Sequence, residues 1–360
     1  MVNESLTERV RWIGVDWGSS RLRTWALDAH DAVLASGGSD RGMLSLAPGE
    51  YESVLLEVIG DWLPERGQRD VLACGMVGAK QGWREAAYLP VPTRLDALAR
   101  GAIAPPCQDP RLRVRLVPGL CQTTAGRFDV MRGEETQLAG LIASEPEASG
   151  LVCLPGTHTK WARLEKGAVT GFTTFLTGEL YALLTRQSVL RHSLGQPGQA
   201  QGQNDNDLAA PGGREVFVAA VKESLAQPGR YSASLFALRA ADLLDADLPP
   251  GGSRATHLAA RLSGLTIGLE LAGLTLSDMG KASKEPITLI GDAALCDRYS
   301  LALDAAGYTS RCLDGERAVL AGLALSYQTH DMGDTYGLYR ASSPDRHPAW
   351  RHPRGGGGGG

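Results

Sequence analysis

Apolar residues fall into short runs at 11–16, 22–28 and 32–36, with turn-forming residues between them. That spacing predicts three strands in a meander. Further strand-like runs lie at 71–74, 114–118 and 150–154, and stretches of helical periodicity such as 51–63 and 134–143 separate them. Alternation of this kind predicts an α/β fold. After Gly171 the pattern changes, and Leu/Ala-rich runs such as 180–189 and 215–226 make helices dominate from Leu176 to about Ala282. A strand at 287–290 and a helix at 316–327 close the ordered region. Residues 197–213 are rich in Gly, Gln, Asn and Asp and read as a flexible surface loop. The last thirty residues, 331–360, end in six glycines and read as disordered.

The chain has 360 residues, room for two domains at the usual ~100–200 residues each. The expected division is 1–133 and 134–330, followed by the tail. With 43% hydrophobic and 21% charged residues the chain is ordinary globular material. Its net charge of -4 and pI near 6.0 leave no basic footprint for nucleic acid. The basic residues at 111–115 alternate with apolar ones, as on a strand with one solvated face. The six cysteines are scattered, without Cys-x-x-Cys or a histidine cluster, and read as free thiols in a reducing compartment. The first five residues carry no apolar signal region. The most apolar window, 258–276, contains Arg261 and Glu270 and falls short of a membrane span. A cytoplasmic location is expected.

Candidate chemistry begins at Asp16-Trp17-Gly18-Ser19-Ser20, directly after Trp12-Ile13-Gly14-Val15. A strand delivers a carboxylate to a Gly/Ser turn, whose consecutive N–H groups form a small anion-binding concavity. Asp16 repels phosphate, so its role in such a site is to hold a Mg²⁺ that bridges to phosphate oxygens cradled by Gly18, Ser19 and Ser20. A second unit of this kind is Leu154-Pro155-Gly156-Thr157-His158-Thr159-Lys160, with Gly156, Thr157 and Thr159 in the turn and Lys160 to offset charge. Facing each other, the two turns clamp a polyphosphate. They are the one echo along the chain, and no other internal repeat stands out. Between them Arg132-Gly133-Glu134-Glu135 opens a helix, where acidic residues suit the dipole. Phosphoryl transfer to an alcohol needs a carboxylate to accept the hydroxyl proton, and either Glu134 or Glu135 fits. A fourth segment, Ile287-Thr288-Leu289-Ile290-Gly291, is a strand ending in a glycine suited to lie flat against an adenine ring. No Gly-x-Gly-x-x-Gly follows a strand and no Gly-x-x-x-x-Gly-Lys-Ser/Thr occurs, so Rossmann and P-loop sites lose their warrant.

This combination resembles the sugar-kinase/actin/heat-shock ATPase superfamily. Four blocks narrow the resemblance to the 2-dehydro-3-deoxygalactonokinase family: Gly14-Val15-Asp16-Trp17-Gly18-Ser19-Ser20 with Arg23, Gly75-Met76-Val77-Gly78-Ala79-Lys80-Gln81-Gly82-Trp83, Arg132-Gly133-Glu134-Glu135-Thr136-Gln137, and Leu154-Pro155-Gly156-Thr157-His158-Thr159-Lys160-Trp161. The last is followed by Phe175-Leu176-Thr177-Gly178-Glu179-Leu180. The likeness covers roughly 11–327. It implies an α/β fold of two actin-like (ribonuclease H-like) domains flanking a nucleotide-binding cleft. It also implies ATP- and Mg²⁺-dependent phosphorylation of 2-dehydro-3-deoxy-D-galactonate at its 6-hydroxyl, a step of galactonate catabolism. The alternatives are a kinase of the same fold for another sugar or sugar acid, and a nucleotide-switched actin-like ATPase with no small acceptor. Two positions depart from the pattern: Asp292 stands beside Gly291 where a small residue is expected, and Arg21 stands where the turn more often carries a small or polar one.

A sugar acid needs paired donors and acceptors, an aromatic surface and a cation for its carboxylate. The block at 75–92 supplies all three, and Gly75, Met76, Lys80, Gln81, Trp83 and Arg84 are its candidate substrate residues. Arg23 joins Lys80 and Arg84 as a candidate for the carboxylate. His158 reads as a hydrogen-bonding loop residue, not a base. The expected partners are ATP and a small sugar acid, with neither nucleic acid nor membrane, and oligomeric state stays open.

Overall fold

The computed structural model describes residues 5–47, 49–194, 207–245, 254–275 and 285–336. The first half runs α1 (Leu6–Arg9), β1 (Trp12–Trp17), β2 (Leu22–Leu27), β3 (Val33–Ser39), α2 (Tyr51–Ile59), β4 (Arg69–Gly75), β5 (Tyr88–Pro90), β6 (Thr93–Arg94), β7 (Leu112–Leu116), β8 (Gly119–Thr124), β9 (Arg127–Met131) and α3 (Glu134–Ser144). The second half runs β10 (Gly150–Leu154), β11 (Thr159–Glu165), β12 (Ala168–Phe175), α4 (Thr177–Gln187), α5 (Gly213–Ala226), α6 (Tyr231–Leu243), α7 (Arg254–Thr275), β13 (Ile287–Gly291), α8 (Ala293–Ala305), β14 (Ser310–Asp314) and α9 (Gly315–Tyr336).

The two halves repeat one topology. The first sheet has the order β3-β2-β1-β4-β7, and the second has β12-β11-β10-β13-β14, with β6 added outside β12. In each, an antiparallel meander of three strands is continued by two strands parallel to the first. The paired turns of the sequence are the surviving trace of this duplication, since each follows the central strand of its sheet. Those central strands are covered on both faces, so they read as near-continuous apolar runs. Trp12, Ile13, Val15 and Trp17 of β1 are fully buried.

Helices α3 and α9 lie between the sheets, in one core that joins Trp12, Leu27 and Leu72 to Val152, Leu154 and Ala162. The helices touch backbone to backbone at two glycines: a Cβ on Gly140 would stand 1.9 Å from the Ala318 carbonyl oxygen, and one on Gly322 1.9 Å from that of Thr136. Outer layers complete both sandwiches, α2 on the first sheet and α5, α7 and α8 on the second. A third small sheet, β5-β8-β9, rests against β12 through Asp129, which accepts from the Thr174 hydroxyl at 2.6 Å.

Several sequence expectations shift in detail. Strand β12 extends to Phe175, past Gly171, and α2 ends at Ile59 in a 3-10 turn, Gly60–Trp62. Helix α9 reaches Tyr336, six residues into the stretch read as tail, while 337–360 lie outside the described residues. Of the expected loop at 197–213, residues 197–206 lie outside the described residues, and its far end is anchored: Asp207 is fully buried and paired with Arg298. Strand β7 alternates as the basic run foretold, with Leu112, Val114 and Leu116 buried and Arg113 exposed. All six cysteines are free. No described helix is long and apolar enough to cross a membrane.

Candidate active site

The first turn leaves β1 at Asp16 and is braced from behind. Gly18 donates its N–H to the Arg21 carbonyl at 2.9 Å, and the carbonyls of Gly18 and Ser19 accept from Met43 and Leu44. Ser19 and Ser20 face outward on this fixed backbone. The β1–β2 register sets Arg23 opposite Asp16, and the guanidinium donates to Asp16 Oδ2 at 2.5 Å and to Glu316 Oε2 at 3.4 Å. Burial alone would lower the Arg23 pKa, but the Asp16 charge more than offsets this and the net direction is up. Arg23 therefore braces the candidate metal carboxylate. Arg21 points to solvent beside Asp40, which explains how the turn tolerates it.

Glu134 and Glu135 open α3, and the backbone brings them to Asp16. Gly75 ends β4 at φ 88° and Gly133 precedes α3 at φ 106°, a region closed to most side chains. A Cβ on Gly75 would lie 2.8 Å from the Trp17 carbonyl oxygen and 3.4 Å from Asp16 Oδ1, and one on Gly133 3.5 Å from the Gly75 Cα. Glu135 is fully buried, accepting from the Gly133 N–H at 2.7 Å and the Thr136 hydroxyl at 3.0 Å. Burial, then the neighbouring Glu134 charge, pushes its carboxyl up to about 8. Glu134 is half-buried; Oε2 accepts from the Arg132 N–H at 3.0 Å and Oε1 faces Lys160 Nζ at 3.9 Å. Burial raises its carboxyl too, against the opposing pull of Lys160. Of the two glutamates, Glu134 is the less buried, and it faces Lys160.

In the second turn, the residues divide by strand alternation. Gly156 and Thr157 sit at the accessible tip. Thr159 is fully buried, with its hydroxyl 2.8 Å from that of Tyr299, so its side chain is turned away from the tip. Lys160 points to the other face, toward Glu134. His158 Nε2 lies 2.6 Å from Glu179 Oε2, and Glu179 donates its N–H to the Thr157 carbonyl. Helix α4 thus begins against this turn.

On the second half, Gly291 meets Gly315 and the turn at Pro155: a Cβ on Gly315 would be 3.1 Å from the Gly291 Cα, and one on Gly291 3.7 Å from the Pro155 oxygen. Asp292, the unexpected residue beside Gly291, caps α8 by accepting from the N–H groups of Ala294 and Leu295. A cavity of about 440 Å³ opens at the start of α9, lined by Asp314, Glu316, Arg317 and Leu320. It lies at the carboxyl ends of parallel strands β13 and β14, the usual ligand position in open α/β sheets.

The block at 75–92 separates into roles. Trp83 stacks on Tyr51 at 6.2 Å and meets Trp17 edge-on at 6.5 Å, so it is part of the packing beneath the first turn. Arg84 donates to the Ala104 carbonyl at 2.6 Å. Lys80 and Gln81 are exposed, Met76 half-buried and Gly75 buried. Two residues outside the sequence-derived candidates stand out. Arg132 is 9% exposed, lies over the Tyr88 ring at 4.2 Å, and leaves Nε and Nη1 without a partner among the described residues. Glu270 is buried among Trp161, Thr177 and Tyr299, and burial lifts its carboxyl to about 7 against the pull of those donors. Its position inside an apolar window was the available signal.

Among the described residues no group of three or more His, Cys, Asp or Glu side chains could hold a metal ion. Asp16 is a single carboxylate at an open turn, which fits a Mg²⁺ bound by one carboxylate, water and phosphate oxygens rather than a caged ion.

The 2-keto-3-deoxy-galactonokinase profile matches residues 16–325. A protein of Rhizobium meliloti strain 1021 named "Probable 2-dehydro-3-deoxygalactonokinase DgoK1" is 37% identical over 313 residues, 87% of this chain and 95% of that protein. The 2-dehydro-3-deoxygalactonokinase of Escherichia coli K12 is 34% identical over 313 residues, 87% of this chain and 96% of that protein. The crystal structure of a candidate 2-dehydro-3-deoxygalactonokinase from Sinorhizobium meliloti superposes with a TM-score of 0.75 at 35% identity, covering 89% of this chain and 99% of that one. The duplicated fold is therefore the actin-like kinase fold, and the chain belongs to the 2-keto-3-deoxy-galactonokinase family.

Proposed function

We propose that this chain is an ATP-dependent kinase that transfers the γ-phosphoryl group to the 6-hydroxyl of 2-dehydro-3-deoxy-D-galactonate. Family membership supports the reaction class, and one observation carries the assignment of roles: Glu134, facing Lys160, stands where β4 and α3 meet Asp16. The acceptor hydroxyl gives its proton to Glu134 as its oxygen takes the phosphoryl group, and ADP leaves. Lys160 offsets the negative charge gathered there. Gly18, Ser19 and Ser20 on one side, and Gly156 and Thr157 on the other, hold phosphate oxygens through their backbone. The Gly291–Gly315 contact and the cavity beside Glu316 receive adenosine. Asp16 would hold Mg²⁺, which supplies charge neutralisation to the β- and γ-phosphate oxygens. Such catalysis is positioning and electrostatics, with little covalent work for the protein. The sugar acid lies along the block that begins at Gly75, and Lys80, exposed and without an ion pair among the described residues, meets its carboxylate.

The domains of this enzyme are residues 1–133 and 134–330, closing on a site between the two turns that follow β1 and β10. The test is a panel of sugar acids and their neutral sugars with ATP and Mg²⁺, the product position being read by NMR. Phosphate on O6 of 2-dehydro-3-deoxygalactonate, with the highest kcat/KM in the panel, is the expected result. A different best acid would keep the kinase and replace the substrate.

A further inference from the structure

We propose that Glu270, on α7, is a positioning residue for the Lys160–Glu134 pair; this rests on reading that pair as part of the catalytic site. The Glu270 carboxylate accepts from Trp161 Nε1 at 2.7 Å, from the Tyr299 hydroxyl at 2.8 Å and from the Thr177 hydroxyl. The Tyr299 hydroxyl is also 2.8 Å from that of Thr159. One buried carboxylate on α7 thereby ties together β11, α4 and α8.

The consequence for Lys160 follows from strand geometry. Side chains on β11 alternate between faces. Thr159 and Trp161 both turn toward Glu270, so Lys160 between them is held on the opposite face, where Nζ stands 3.9 Å from Glu134 Oε1. Glu270 pins both flanks of the residue that faces Glu134. It also fixes the start of α4: Gly178 follows Thr177 and packs so closely on the second turn that a Cβ there would stand 2.4 Å from the Gly156 oxygen. Stability alone does not call for a carboxylate here. Burying one is costly unless it is fully hydrogen-bonded, and apolar groups of the same shape in place of both partners are often nearly neutral. The directional constraint on Lys160 and the second turn is what an apolar side chain would not supply.

The experiment compares wild type, Glu270→Gln, Lys160→Met and the double variant by steady-state kinetics, with Tm recorded for each. A modest displacement of catalytic groups costs up to roughly 10²-fold. Glu270→Gln is expected to lower kcat by about ten- to a hundredfold while KM for the sugar acid stays within about twofold. In the Lys160→Met background the same change should add less than about twofold, because the group it positions is gone. Tyr299→Phe, which removes one hydroxyl, should lower kcat by a smaller factor, and it decides the matter if Glu270→Gln does not fold. Wild-type kcat in folded Glu270→Gln, a full multiplicative effect in the Lys160→Met background, or wild-type kcat in Tyr299→Phe when Glu270→Gln does not fold would each overturn the proposal. Those outcomes leave the kinase reading intact. A wild type unable to phosphorylate any sugar acid would overturn both.

Discussion

Asp16 is the residue on which most of the site converges: it ends β1, faces Arg23 across the hairpin and lies under Gly75. Asp16→Asn removes its charge with little change in size, and turnover should fall by at least roughly 10²-fold in a protein that still folds. Near-wild-type kcat at saturating Mg²⁺ would take Asp16 out of the site. Lys80 and Arg84 differ in a measurable way. A charge-assisted hydrogen bond is worth roughly 1.5–3 kcal/mol, so Lys80→Met should raise KM for the acid about tenfold or more and leave KM for ATP unchanged. Arg84→Met should discriminate less, since one edge of its guanidinium is held by the Ala104 carbonyl. Equal effects on both Michaelis constants at Lys80 would place the carboxylate elsewhere. The placement of Asp16, Gly18 and Gly156 at the ends of central strands was legible in the sequence because strand, carboxylate and turn are contiguous. The packing partners of Thr159, Trp83 and Arg84 were not. Residue type tells what a side chain can bond, but its direction depends on partners such as Tyr299, Tyr51 and Ala104 that lie far away in the chain.

The first turn of α3 carries the pH dependence. As the proposed base, Glu134 would accept a proton only when ionised, and burial holds its carboxyl above the ordinary value. The acidic limb of kcat should therefore lie above the usual glutamate range, and Lys160→Met should move it further up by removing the opposing charge. Glu134→Gln should cost roughly 10²–10⁴ in kcat, the worth of a positioned base. Glu135 behaves differently, because its folded pKa of about 8 exceeds the ordinary 4.5. The folded state holds that proton more tightly, so the neutral carboxyl's contribution is fully present below about pH 4.5 and lost as pH rises through about 8. Glu135→Gln should abolish this loss, and denaturant unfolding at pH 6 and pH 9 measures it; an unchanged pH slope would contradict the buried, neutral assignment. At this scale the helix itself was legible from Gly133-Glu134-Glu135. The choice between the glutamates was not, because adjacent helical positions point in different directions and only the packing of α3 on the core tells which is buried.

Duplication is the feature of the whole molecule that the sequence showed least. Two sheets that share a five-stranded order carry no obvious internal repeat, since their strands need only be apolar and correctly spaced; what persists is a turn after each central strand. Helices α3 and α9 fill the space between the sheets, and their glycine contacts leave little room for sliding. The proposed closure of the halves on ATP and acceptor would exclude water and suppress wasteful hydrolysis. The most direct test is ADP release by wild-type protein with ATP and Mg²⁺, measured with and without 2-dehydro-3-deoxygalactonate. A kinase built this way should be nearly silent alone and should release one ADP per phosphorylated acid once the acid is added. ADP release at the same rate whether or not the acid is present would contradict it, and would mark the molecule as a nucleotide-switched ATPase.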